Sequence, residues 1–300
     1  MNIDKRNGTV CFNEENHTYW DVNDNEKYIS VTTLIHRFTN EFDKDFWSAY
    51  KALEKLLPKE SWNIEKRSLL NTKKFNKEIL SLYNISENDF NREQQNILDA
   101  WDEENRKSCE RGTKIHAELE NSFYKTGKDI SLQKFGIGGK FECKKDYSEL
   151  DIEYGVYPEY LISRTSDDGV LRIAGQIDLI VKNGNEISII DHKTNKKIDL
   201  KSGFNSSTKS SVKMKYPLNT LDDCNYNHYQ LQLSTYAWML QKLNPNFIIK
   251  DLILNHYDHN GNNTLYHCNY LKSEVERMLY FYKKELISEK QKAKRKRIEY

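Results

Sequence analysis

Two aspartates and a lysine carry the first chemical signal. Asp178 sits mid-run in Gly175-Gln176-Ile177-Asp178-Leu179-Ile180, and Asp191 closes a second apolar run, Ile189-Ile190-Asp191, just before His192, Lys193 and Thr194. Between them lies the tight-turn sequence Asn183-Gly184-Asn185. It predicts a hairpin that brings both carboxylates to one edge of a sheet. Side chains alternate along a strand, so Lys193 is expected on the face of Asp191. Two carboxylates and an ammonium ringed by Ile, Leu and Val are costly to bury unless a metal or a substrate uses them. Carboxylate oxygens suit hard ions such as Mg²⁺ or Mn²⁺. Such an ion polarises a phosphate and acidifies water, while a lysine orients that water or offsets charge building on the phosphate. The set therefore suits phosphodiester hydrolysis. On these residues alone a surface Asp–Lys pair on a strand remains an equal reading, because so short a pattern recurs by chance in a chain with 45 acidic and 46 basic residues.

The surrounding elements must position these groups. The β-rich runs Tyr154 to Ile162, Leu171 to Val181 and Glu186 to Asp191 are separated by Asp167-Asp168-Gly169 and Asn183-Gly184-Asn185, which predicts an antiparallel meander. Upstream, Arg111 to Glu120 reads as a helix that carries His116, with Ile115 and Leu119 on its buried side. A lone helical histidine is more often a packing residue. Downstream, a helix from about Tyr229 to Lys242 sets Gln232 and Tyr236 one turn apart. The first 35 residues predict a strand pair, followed by a helix capped by Ser30 or Thr32. Residues 41–107 are helical in pattern and highly charged, with few apolar positions, and predict a helical cap or insertion. Residues 196–227 are polar, with Ser206-Ser207 and Ser210-Ser211, and are expected to be mobile or ordered only by a ligand. A second hairpin is expected from Phe247 to Tyr270 with its turn at Asn260-Gly261, then a C-terminal amphipathic helix over 271–300 with a basic tail.

In this order the pieces resemble the RecB-like branch of the PD-(D/E)XK nuclease superfamily. The matching motifs are G-x-x-x-H (Gly112 to His116), G-x-I-D (Gly175 to Asp178), D-x-K (Asp191 to Lys193) and Q-x-x-x-Y (Gln232 to Tyr236). His17-x-Tyr19, followed by Ser30-Val31-Thr32-Thr33, is similar to the opening of the mitochondrial genome maintenance exonuclease family and related phage-encoded exonucleases. The resemblance covers about residues 15–40 and 108–260. It implies an α/β (α+β) restriction-endonuclease-like fold: a mixed central sheet flanked by helices, with the core over 108–270 and residues 1–40 joined to it. It further implies that His116, Asp178 and Asp191 hold Mg²⁺ or Mn²⁺ together with the backbone carbonyl of His192. Lys193 would be the catalytic lysine, and Gln232 and Tyr236 would support the site and contact DNA. Glu159 falls where the family often carries a further acidic residue, with Glu153 as a nearby competitor. The implied activity is a metal-dependent DNA exonuclease acting on single strands or duplex ends, in replication, recombination or repair. A structure-dependent endonuclease and a non-catalytic nucleic-acid-binding protein on the same fold are the alternatives.

Composition sets bounds around that reading. No run approaches the roughly 18 apolar residues of a spanning helix, and the start Met1-Asn2-Ile3-Asp4-Lys5 is read as neither a secretory nor a transit peptide. A cytoplasmic setting in a bacterial or phage-infected cell, with no membrane partner, is therefore expected. The five cysteines form no C-x-x-C pair, which disfavours a zinc or iron–sulfur centre. Gly136-Ile137-Gly138-Gly139-Lys140 fits no phosphate-loop spacing and is read as a plain loop. His256 and His259 are read as exposed turn histidines. The net charge of +1 hides segregation: residues 191–215 hold seven Lys against two Asp, and residues 290–297 hold six cations. These predict a basic track, including Lys196 and Lys197, beside an acidic metal site.

Overall fold

The computed structural model describes residues 5–144, 154–205 and 210–298. In chain order the elements begin with β1 (Lys5–Asn7), β2 (Val10–Asn13), β3 (Thr18–Asp21), β4 (Lys27–Ser30) and α1 (Val31–His36). Four further helices follow: α2 (Lys44–Leu56), α3 (Lys59–Thr72), α4 (Glu78–Leu82) and α5 (Glu87–Thr126). Next come β5 (Ile130–Leu132), β6 (Ile137–Phe141), β7 (Gly155–Thr165), β8 (Arg172–Asn183) and β9 (Glu186–Lys193). The chain continues through β10 (Phe204–Asn205), β11 (Ser210–Ser211), α6 (Asn225–Leu243), β12 (Ile248–Tyr257), β13 (Asn263–His267) and α7 (Lys272–Ile298). Two compact units result. One comprises Met1–Thr39, Gly112–Ser202 and Lys213–Tyr300; the other comprises Asn40–Arg111 and Gly203–Val212.

The first unit is built on a mixed sheet in the order β1-β2-β3-β4-β8-β9-β12-β13, with β7 also paired to β8. The predicted meander is there: β7 pairs antiparallel with β8, and β8 with β9. Gly169 and Gly184 turn at φ 67° and 63°, which glycine adopts without steric cost. The N-terminal strand pair is in fact four strands, and Ser30 caps α1 by accepting from Thr33 N at 3.0 Å. β12 runs parallel to β9, as expected of strands joined through the crossover helix α6. One face of the sheet packs on α1, α6 and α7 through Ile173, Ile177, Ile189, Leu233, Met239 and Met278. On the other face Phe123 of α5 joins Val156, Leu179, Val181 and Ile190.

Three expectations need correction. Ile137 to Lys140 belongs to β6, a strand paired with β5, and is not a plain loop. The polar stretch after β9 is partly anchored in the core, because Met214 and Leu218 are buried there; Ser206-Ser207 lies outside the described residues. His256 is not an exposed turn residue. It lies buried in β12, with its Nε2 2.7 Å from Asn195 O. The basic stretch 290–297 continues α7, which is helical to Ile298.

The second unit has a core of its own. Asp43 caps α2 by accepting from Phe46 N at 2.8 Å. Phe46, Ala49, Ala52 and Leu53 then fall on one helical face and pack with Trp62, Leu69, Leu80, Phe90 and Ile97. Tyr50 meets the Trp62 ring edge-on, 4.6 Å between centroids.

Two glycines mark where elements close on each other. A Cβ on Gly175 of β8 would lie 2.6 Å from the Tyr236 ring of α6, and one on Gly112 of α5 would lie 3.2 Å from Thr194 Oγ1. Tyr236 is buried, so its ring has nowhere to retreat. Gly175→Ala is therefore expected to cost about 1–3 kcal/mol of overpacking, read as a lower urea midpoint. An unchanged midpoint would show that the ring is not confined there.

Candidate functional site

The site lies where the sheet forks. β7 covers one edge of β8 along nearly its whole length, from Gly155↔Lys182 to Thr165↔Arg172. On the other edge, β9 pairs only from Asn183↔Glu186 to Leu179↔Ile190, and β4 takes over at Ala174 and Ile173. Residues 175–178 of β8 thus face the gap between β4 and β9. Asp178 and Asp191 are the next pair in register and the first left unpaired. The Asp178 side chain takes the place of the missing ladder bond, its Oδ2 accepting from His192 N at 2.6 Å.

The alternation of both strands also slips here. Tyr157, Tyr160 and Ile162 of β7 share one cluster, as do Ile173, Ile177 and Ile180 of β8. Strict alternation would place Tyr157 and Tyr160, or Ile177 and Ile180, on opposite faces. The slip turns Glu159 and Asp178 out of that core together. Glu159 has φ 51° and, among the described residues, is the only non-glycine strand residue in the left-handed region. Such strain persists where surrounding structure enforces it, and it clusters at functional sites.

His116 of α5 completes this side. Its Nδ1 is 3.8 Å from Glu159 Oε1 and 3.6 Å from Asp178 Oδ2, and its Nε2 is 3.1 Å from the carbonyl oxygen of His192. His116, Glu159 and Asp178 each offer a ligand atom within one 4.8 Å group. Asp191 and Lys193 stand on the face of α6: Lys193 Nζ lies 2.6 Å from Asp191 Oδ2, donates to Gln232 Oε1 at 3.2 Å and sits 4.7 Å from the Tyr229 ring centroid. Gln232 Nε2 reaches Tyr236 OH at 3.3 Å and Thr32 Oγ1 at 3.4 Å. The structure thus gathers His116, Glu159, Asp178, Asp191, His192, Lys193, Gln232 and Tyr236 around one fork. Lys196 and Lys197 lie exposed beyond β9, with Lys197 2.7 Å from Asp199. Glu153 lies outside the described residues.

Burial and charge oppose each other throughout. Burial pushes the Asp178 carboxyl up, with Glu159 adding to it while His116 and Lys193 pull it down. Burial likewise lifts Asp191 to about 6 despite Lys193. Burial works against a charged His116, yet Asp178, Glu159 and Asp191 outweigh it and hold the imidazole up at about 9. For Lys193 too, desolvation is overcome by Asp191 and Asp178, so its ammonium is held above the ordinary value. His192 is the contrary case. Burial drives it down to about 3, so its ring is neutral.

Residue types hid several members of the site. Asn255 of β12 donates to His192 Nδ1 at 2.9 Å from the neighbouring strand position, a pairing visible only once β12 is known to run parallel to β9. Tyr229 was legible in principle, since it precedes Gln232 by three residues on one helix. Burial, then Glu159 and Asp178, raises the Tyr19 hydroxyl of β3 above the ordinary tyrosine value.

The donor set fits a divalent metal. Two carboxylates, one imidazole and the His192 peptide carbonyl suit a hard ion that accepts oxygen and a single nitrogen. The family comparison agrees: residues 33–296 match the model of the PD-(D/E)XK nuclease superfamily. The chain belongs to that superfamily, whose members are nucleases that use divalent metal ions. No curated protein matches it. A solved structure described as "Crystal structure of SSO0001" is similar at 20% identity over 44% of this chain, with a TM-score of 0.26. The match spans half of that other chain. Among the described residues no helix is long and apolar enough to cross a membrane.

A metal that binds only the folded chain stabilises it by mass action, about 2.7 kcal/mol at a hundredfold excess over Kd. Mn²⁺ is therefore expected to raise the melting temperature of the wild-type protein by several degrees. Asp178→Asn and Glu159→Gln should lose that response, each read against its own metal-free melting temperature, because each removes a carboxylate that also pairs with His116. A full Mn²⁺ response in both variants would remove these carboxylates from the metal site.

Proposed function

We propose that this chain is a metal-dependent DNA exonuclease that hydrolyses phosphodiester bonds of single strands or duplex ends. The observation that supports it is the fork itself, where His116, Glu159 and Asp178 meet the Asp191–Lys193 pair at the break between β8 and β9. His116, Asp178, Asp191 and the His192 carbonyl are the proposed ligands, with Glu159 as a further carboxylate, and Mg²⁺ or Mn²⁺ is the proposed ion. When bound, the ion supplies charge that polarises the phosphate and acidifies water. Lys193, held between Asp191 and Gln232, keeps its ammonium charged and offsets the charge that builds on the phosphate. Gln232 fixes the lysine's position and is itself braced by Tyr236 and Thr32. Lys196 and Lys197, exposed just past β9, extend positive charge along the strand path.

Asp191→Ala and Lys193→Ala should each lower Mg²⁺-dependent degradation of linear single-stranded DNA by at least about a hundredfold, with the circular dichroism spectrum retained. Undiminished degradation by either folded variant sinks the assignment. Covalently closed circular single strands should survive under conditions that consume the linear form; equal attack on both would make the enzyme an endonuclease.

A further inference from the structure

Beside Lys193 and Gln232, which both line it, lies a cavity of about 160 Å³ whose other walls are Thr32, Ile35, His36, Asn225, His228 and Tyr229. Its contents are unusual for a phosphate pocket. The cation on its wall, Lys193, is already 2.6 Å from the Asp191 carboxylate. The remaining walls are three rings (His36, His228 and Tyr229), the aliphatic Ile35 and the uncharged polar side chains of Thr32, Asn225 and Gln232, which can hydrogen-bond the edge of a base. His228 donates from Nε2 to the buried Asp223 carboxylate at 2.6 Å, which fixes its ring. His36 meets His228 edge-on, 6.4 Å between centroids. Burial, with His228 beside it, holds His36 below the ordinary histidine value, so this ring is neutral near pH 7. The volume is well under the roughly 300–1,000 Å³ of sites for drug-sized ligands. It suits one planar ring system.

We infer that this cavity binds the unpaired nucleobase of the nucleotide beside the scissile phosphate. The inference rests on the proposed nuclease reading and adds a subsite to it. Lys193 belongs to both the catalytic pair and the cavity wall, so a strand whose phosphate lies at Asp191 and Lys193 brings an adjacent base to the rings of Tyr229, His36 and His228. A base in a duplex is stacked and paired, and freeing it costs a few kcal/mol. A pocket of this kind therefore favours single strands and frayed ends.

The test is equilibrium binding without metal, by fluorescence anisotropy, so that it reads out independently of cleavage. The probes are a thymidine oligonucleotide of about twelve nucleotides and an abasic strand with the same phosphates; base stacking of about 1–3 kcal/mol predicts roughly tenfold tighter binding of the thymidine strand. His36→Ala and His228→Ala should shrink that ratio severalfold, mainly by weakening the thymidine strand, and His36→Phe should restore it. Equal binding of both strands by the wild-type protein overturns the inference, as does a ratio unmoved by either alanine variant. If the ratio behaves as expected but Mg²⁺ supports no cleavage, the subsite stands and the nuclease reading falls. Cleavage without a base-dependent ratio gives the reverse.

Discussion

The site depends on one hydrogen bond that the sheet fails to make for itself. At Leu179↔Ile190 the β8–β9 ladder stops, and the amide of His192 would be left with no partner in the interior. A buried, unsatisfied amide costs about 1–3 kcal/mol. Asp178 answers it with a carboxylate oxygen at 2.6 Å. That bond fixes Asp178 and leaves the His192 carbonyl turned toward His116. The same break lets Asp191 and Lys193 emerge on the other side of the fork. Backbone satisfaction and site geometry are thus one constraint.

Around this break the motifs support each other in pairs. Gly175 leaves room for the ring of Tyr236, and Tyr236 braces Gln232, which holds Lys193. Gly112 gives Thr194, next to that lysine, its space against the helix carrying His116. The arrangement gathers carboxylates and cations where the protein is dry, so that burial opposes the charge on Asp178, Asp191, His116 and Lys193 alike. Natural proteins tolerate such a cost at functional sites because it is offset elsewhere. Here the offset is the apolar core on both faces of β8 and β9.

Much of this was legible in the residues. Alternating β-formers and the Asp-Gly and Asn-Gly turns mark the meander, and a mixed sheet flanked by helices is what the chain forms. Spacing alone drew attention to Asp178, Asp191 and Lys193, whereas His116, Gln232 and Tyr236 stood out only through the resemblance carried by the ordered motifs. The rest depended on long-range pairing. Alternation placed Asp178 and Asp191 on one regular hairpin and gave no hint of the fork, because the fork exists only when β4 displaces β9 along β8. The left-handed backbone of Glu159 leaves no mark in composition. Asn255 and His256 read as residues of a separate hairpin until β12 lies beside β9. The core of the 41–107 segment was also hidden, since aromatic residues such as Phe46, Tyr50 and Trp62 pack densely while contributing few positions to the pattern.

The parallel pairing of β4 with β8 has a kinetic consequence. Ile29 meets Ile173 across more than a hundred intervening residues, and Gln232, which steadies Lys193, comes later still. Contacts so distant along the chain must close large loops before they repay the entropy, which slows folding relative to locally connected folds. During synthesis the first strands emerge long before the strand they accompany. Their open edge has to wait, exposed, until β8 arrives. An incomplete chain therefore carries the carboxylates of β7 and β8 without the helix whose Gln232 meets Lys193, so the side chains of the fork come together only once most of the polypeptide has been made.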